Sequence, residues 1–144
     1  MRILTVIMLL AVAAIGFWLM KSKSSKAIDK NDSGFSPELV DRINRASAER
    51  EKIRRQDPQF FAAVSKAMFE HDPMGINFET NTDEYDAEAG TVIPRLSACA
   101  SAEDVVTVLH EEFQRWFDVT AGTREKYIDL AKDIWNLYRK RNPN

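Results

Sequence analysis

The residues best equipped for chemistry lie together in "HDPMGINFETNTDEYDAEAGT", from His71 to Thr91. This stretch holds six acidic residues (Asp72, Glu79, Asp83, Glu84, Asp86 and Glu88), the aromatics Phe78 and Tyr85, and no lysine or arginine. Carboxylates at this density could hold a hard cation, share acid and base roles in a hydrolysis, or attract a basic partner. A calcium loop of the EF-hand type needs oxygen ligands at alternating positions and a glycine at its sharp turn. Read from Asn77, the side chains of Asn77, Glu79, Asn81, Asp83 and Glu88 fall at ligand positions. Thr82, however, stands where the glycine belongs, and Tyr85 stands where a further ligand belongs. An acid–base pair of carboxylates must be held across a scissile bond, whereas crowded loop carboxylates are ordinarily solvated. A small metal-dependent hydrolase using Asp72, Asp83, Glu84 and Asp86 is therefore the enzymatic alternative, not the leading reading.

Other constellations are weaker. "HEEFQ" at 110–114 begins like the zinc-helix motif H-E-x-x-H, but Gln114 replaces the second histidine. The chain has two histidines and one cysteine, Cys99, too few for a structural zinc site and unable to form an internal disulfide. Small neighbours in "LSACAS" make Cys99 read as a packed, inert thiol. Neither a phosphate-binding glycine loop nor a nucleophile elbow occurs. The expectation is no metal, no cofactor and no catalytic residue.

Charge is sharply segregated. Residues 57–118 carry 13 Asp/Glu against 3 Lys/Arg, a net of −10. Residues 21–56 carry 10 Lys/Arg against 6 Asp/Glu, and residues 119–144 carry 6 against 3. The total of −2 thus hides an acidic middle between basic flanks. Such a field steers basic partners and disfavours nucleic acid. Asp72, Glu79, Asp83, Glu84, Tyr85, Asp86 and Glu88 are accordingly expected to form a recognition surface for a basic protein.

The elements that must position this stretch read as helices. "SPELV" offers Ser36 as a cap and Pro37 at the first helical position, opening a charged helix over about 37–55 with a thin apolar line of Leu39, Ile43, Ala46 and Ile53. Asp57 and Pro58 repeat the start signal for a helix over about 58–70, whose Phe60, Phe61, Val64, Ala67 and Met68 face a core. Pro73 and Gly75 stop it. Asp72 fits an Asx-turn, Asp83 or Asp86 fits a helix cap, and Met74, Ile76 and Phe78 fit apolar pins for the loop. A short helix over 86–97 is interrupted by Pro94.

Ser101 and Asp104 then make a near capping box. Val105, Val106, Val108, Leu109, Phe113, Trp116 and Phe117 form one apolar face. Gly122 turns the chain, and Tyr127, Ile128, Leu130, Ala131, Ile134, Trp135, Leu137 and Tyr138 form another. The reading is all-α, with a compact helical bundle over 57–141, preceded by a charged tether and exposed helix over 21–56.

Residues 3–20, "ILTVIMLLAVAAIGFWLM", carry no charge. A bilayer core takes about 20 apolar residues as a helix, with a range of about 17–25. Phe17 and Trp18 suit an interface. The bulky end of the run fits an uncleaved anchor better than a signal peptide. Residues 1–20 are therefore expected to be a single transmembrane anchor. Lys21, Lys23, Lys26 and Lys30 outweigh Arg2, which favours a cytoplasmic domain over a periplasmic one.

"DPMGI", "DEYDAEAGTVIPRL" and "AGTREKYIDLAKDIW" together resemble a family of small bacterial all-helical domains with the pattern D-P-[IM]-G, D-E-Y-D and two closing amphipathic helices. The resemblance covers about 57–138, not the anchor or the helix 37–55, and implies a recurring helical fold; a bacterial chain with the anchor at residues 3–20 is expected at the inner membrane. The resemblance implies no catalytic residues. In size and acidity these domains are similar to immunity proteins of contact-dependent toxin systems, which implies a non-enzymatic binding role. An anchored assembly factor, pairing through helix 37–55, is the structural alternative.

Overall fold

The computed structural model describes residues 36–77 and 82–143. The expected anchor over 3–20, the tether up to residue 35, and Phe78 and Glu79 lie outside the described residues. Among the described residues no helix is long and apolar enough to cross a membrane, and all regular structure is helical. Helix α1, Pro37–Gln56, spans a division of the chain into two units, Met1–Ala48 and Glu49–Asn144. In the first unit Ser36 opens α1 as its sequence predicts. Its hydroxyl and its carbonyl both accept from the Leu39 N–H, at 3.3 and 3.0 Å.

The second unit begins with the last turns of α1. It continues through α2 (Pro58–His71), α3 (Asp86–Val92), a 3₁₀ turn (Ile93–Ala98), α4 (Ala102–Phe117), two shorter 3₁₀ turns (Asp118–Ala121 and Arg124–Tyr127) and α5 (Ile128–Arg141). Asp57 starts α2 by accepting the Phe60 N–H at 2.9 Å, with Pro58 in the first turn. Ser101 starts α4 by accepting the Asp104 N–H. Asp104 reaches back to the Ala100 N–H at 2.9 Å and to the Ser101 hydroxyl, and these bonds hold its carboxyl below the usual carboxylate range. That is the expected capping box shifted back by one residue. Pro94 enforces the change from α3 to the tighter 3₁₀ turn, since it lacks the N–H an α-helix would use.

α5 packs on α4 and α2, and α3 closes the group against α2 and α4. The shared core contains Phe61, Val64 and Met68 of α2, Ala89 and Val92 of α3, Leu96 of the 3₁₀ turn after it, Val105, Leu109 and Phe113 of α4, and Tyr127, Leu130, Ala131 and Ile134 at the C-terminal end. Fully burying each large apolar side chain contributes about 1.5–3 kcal/mol. Ile128 departs from expectation and is 38% exposed. The 3₁₀ turn immediately before it advances about 3.0 residues per turn, so the apolar register of α5 begins at Leu130 instead. Gly122 adopts φ 77°, as the tight turn between α4 and α5 requires. That turn is fixed by the Tyr127 hydroxyl donating to the Ala121 carbonyl at 2.6 Å and by His110 Nε2, 3.0 Å from the Gly122 carbonyl oxygen.

Candidate functional site

The acidic stretch leaves α2 through Asp72, whose φ of 43° places it in the left-handed region that Asp tolerates better than most residues. Asp72 Oδ1 accepts the N–H groups of Ile76 and Asn77 at 2.9 and 3.1 Å, four and five residues on, so the expected Asx-turn does not form: the Met74 N–H it would take goes to the Tyr85 hydroxyl oxygen instead. The same oxygen takes the Tyr85 hydroxyl at 2.6 Å, and the Tyr85 oxygen in turn accepts the Met74 N–H at 3.1 Å. Tyr85 is fully buried with its ring 6.1 Å from that of Phe113, and burial pushes its phenol well above its ordinary range. Met74 and Ile76 pack against the core as apolar pins. The first carboxylate of the stretch is thus a loop organiser, tied to a buried tyrosine thirteen residues later.

Downstream, the carboxylates also turn inward. Asp86 accepts the Ser65 hydroxyl of α2 at 2.6 Å on one oxygen and the Arg54 guanidinium of α1 on the other. The expected side-chain cap from Asp83 or Asp86 does not form, because the N-cap is Tyr85 and Asp86 is spent on these two partners. Asp83 contributes its backbone carbonyl instead, to the Asp86 N–H at 3.2 Å. Arg54 also lies over the Phe61 ring, 4.9 Å from its centroid. Glu84 is buried, Asp83 is half-buried, and Glu88 has no exposed surface.

Glu88 is the most unusual group. Neither of its carboxylate oxygens has a hydrogen-bond partner among the described residues. Burial pushes its carboxyl up to about 8, opposed by its own backbone N–H and then by the nearby Arg50, while the neighbouring Asp86 and Glu84 push the same way as burial. The acid is therefore largely protonated at neutral pH, which removes the cost of a buried bare charge. Two residues on, Gly90 meets Arg50 of α1 closely: a Cβ there would stand 2.9 Å from Arg50 Cγ and 3.1 Å from its Cβ. Arg50 itself is pulled below its ordinary range, first by burial and then by Arg54.

The predicted recognition set is thus distributed differently from its expectation. Tyr85, Glu84 and Glu88 are inside the domain, and Asp72 has one oxygen and Asp86 both oxygens bonded to internal donors. The sequence reading did not single out Arg50, Arg54 and Ser65, which complete the cluster. Two signals for it were present. Glu88 sits three residues after Tyr85 and four before Val92, on the apolar face of its helix, and Gly90 inside a helix marks a close approach.

Elsewhere another buried carboxylate, Glu112, is paired on both oxygens. Glu112 lies on the apolar face of α4 and is bound by Arg95 at 2.7 Å and by Arg115 at 3.1 Å, with Arg95 also holding Glu111. Cys99 is half-buried, donates to the Arg95 carbonyl at 3.6 Å, and has its thiol pushed up by burial. Among the described residues, no three His, Cys, Asp or Glu side chains converge as a metal centre would require. Comparisons with family models, curated proteins and solved structures find no match to this chain.

Proposed function

We propose that the protein is a membrane-anchored, non-enzymatic helical binding protein of the immunity type, which engages a basic protein partner through the carboxylates of its 72–88 segment. The observation that carries this reading is the way the segment already handles basic groups. Asp86 grips the Arg54 guanidinium, with Ser65 fixing the carboxylate and Phe61 lying under the cation, while Arg50 stands beside Glu88. Acid, hydroxyl and aromatic face together form an arginine-binding arrangement, and bidentate or stacked arginines are the strong members of their class. The net of −10 over 57–118 supplies the longer-range attraction. The hydrolase alternative loses two of its four carboxylates to internal roles, since Asp72 holds a turn and Asp86 holds Arg54 and Ser65.

In this reading residues 3–20 span the bacterial inner membrane once and the domain sits on the cytoplasmic side. The test is cross-linking of the full-length chain in native membranes, followed by washing at low and high salt. A basic protein should be captured at low salt. Its yield should fall as the Debye length shrinks from about 10 Å at 0.1 M to about 3 Å at 1 M. A partner that is acidic, or capture indifferent to salt, would refute the electrostatic reading. Reporter fusions at the C-terminus test the orientation independently.

A further inference from the structure

The acidic cluster is covered by a part of its own chain. Residues 49–56 of α1 lay Arg50 against Gly90 and bind Arg54 to Asp86, and Ile53 between them is buried in the core. Beside Arg50 is the Glu88 carboxyl group, with no exposed surface and, among the described residues, no hydrogen-bond partner outside its own residue. A neutral acid tolerates that position, whereas a carboxylate demands water or donors that the closed arrangement does not provide.

We propose that Glu88 is a proton-operated gate: while it carries its proton the last turns of α1 stay seated over the acidic cluster, and when it loses the proton they lift and expose Glu84, Asp86 and Glu88 to a basic partner. This rests on the binding role proposed above and adds its regulation. The direction follows from linkage. In the seated state the carboxyl titrates at about 8, raised chiefly by burial, and in a lifted state it returns toward its ordinary 4.5. The lifted state therefore binds the proton less tightly, and rising pH favours it.

The charged and titratable groups around Glu88 are few. Arg50 comes from α1, while Glu84, Tyr85 and Asp86 lie beside it in its own turn and helix. α2 presents the neutral Ser65, and on α4 the charged Glu112 is bound by Arg95 and by Arg115. Arg50 opposes the gate by attracting the carboxylate, but burial is the larger influence on Glu88.

Hydrogen exchange of the amides of residues 49–56 tests the gate, using the full-length chain in non-ionic detergent from pH 5 to pH 9 and correcting for intrinsic exchange rates. The opening constant of this segment should rise by about tenfold per pH unit and level off near pH 8. In Glu88→Gln it should be flat. In Arg54→Gln, which leaves Glu88 in place, the opening constant should be higher at every pH with the same slope, and this variant carries the test if Glu88→Gln does not fold. In parallel, a labelled octa-arginine peptide is titrated against the same samples.

Binding that rises with opening supports both the gate and the basic-partner reading. Opening that follows pH with no peptide binding at low salt keeps the gate and overturns the basic-partner reading. Opening of 49–56 that is independent of pH, or equally dependent on pH in Glu88→Gln, overturns the gate whatever the peptide does.

Discussion

Glu88→Gln is the substitution with the clearest energetic signature. The wild-type carboxyl has no exposed surface and titrates at about 8 in the folded domain, against an ordinary value of 4.5. Its folded value is raised, so its contribution to stability is fully present below 4.5 and is lost as pH rises through 8. In that window the folded state holds a proton that the unfolded state has released. Each pH unit then removes about 1.4 kcal/mol. Between pH 5 and pH 8 the loss amounts to roughly 3–4 kcal/mol for this one group, a large share of the roughly 5–15 kcal/mol that stabilises an ordinary domain. This figure is a ceiling, because lifting of 49–56 would let water reach the carboxylate and relieve part of the cost.

Glutamine is nearly isosteric and cannot ionise, so the variant should escape the loss. Urea unfolding of wild type and Glu88→Gln across pH 5 to 8 measures the difference directly. The two proteins should be within about 1 kcal/mol of each other at pH 5, and the variant should be more stable by up to about 3 kcal/mol at pH 8. Taking the difference between the two chains cancels every other group that titrates in the window. Parallel stability curves, or a variant that is less stable at pH 8, would refute the assignment of Glu88 as a buried, protonated acid.

Three further substitutions probe the surrounding contacts. Tyr85→Phe removes the hydroxyl that joins Asp72 to the Met74 N–H and should cost about 1–2 kcal/mol in urea unfolding, with faster exchange at Ile76 and Asn77. Gly90→Ala places a methyl 2.9 Å from Arg50 Cγ and 3.1 Å from its Cβ, atoms too near the α1 backbone to swing aside. The overpacking cost of about 1–3 kcal/mol should exceed the roughly 1 kcal/mol that alanine gains in a helix, and thermal unfolding should show a net loss. Arg95→Ala strips the fully buried Glu112 of a 2.7 Å partner and should destabilise by about 2 kcal/mol or more, while Arg115→Ala, whose side chain is 69% exposed, should change stability by under about 1 kcal/mol.

What the sequence determined by itself was local. The starts of α1, α2 and α4 were legible because Ser36, Asp57 and Ser101 serve the N–H groups of their own next turn, and Pro37 and Pro58 act within one or two residues. The interruption at Pro94 and the turn at Gly122 were legible for the same reason. The apolar stripes of α2 and α4 were legible because helical period alone places Phe61, Val64 and Met68, or Val105, Leu109 and Phe113, on one side. The acidity of 57–118 was also plain, but not the direction in which its carboxylates point.

That direction belongs to the tertiary structure. Asp72 meets Tyr85 across thirteen residues, Asp86 meets Ser65 across twenty-one, and Arg54 reaches Asp86 across thirty-two. No periodicity encodes such pairs, since each depends on where α1, α2 and α3 come to rest against one another. Glu88 makes the point most sharply. As a residue type it reads as a solvated surface charge, and the same helical stripe that buries Ala89 and Val92 carries it inside. Once the helices have packed, desolvation governs its chemistry, and it changes from a fixed negative charge into a group that holds or releases a proton according to pH.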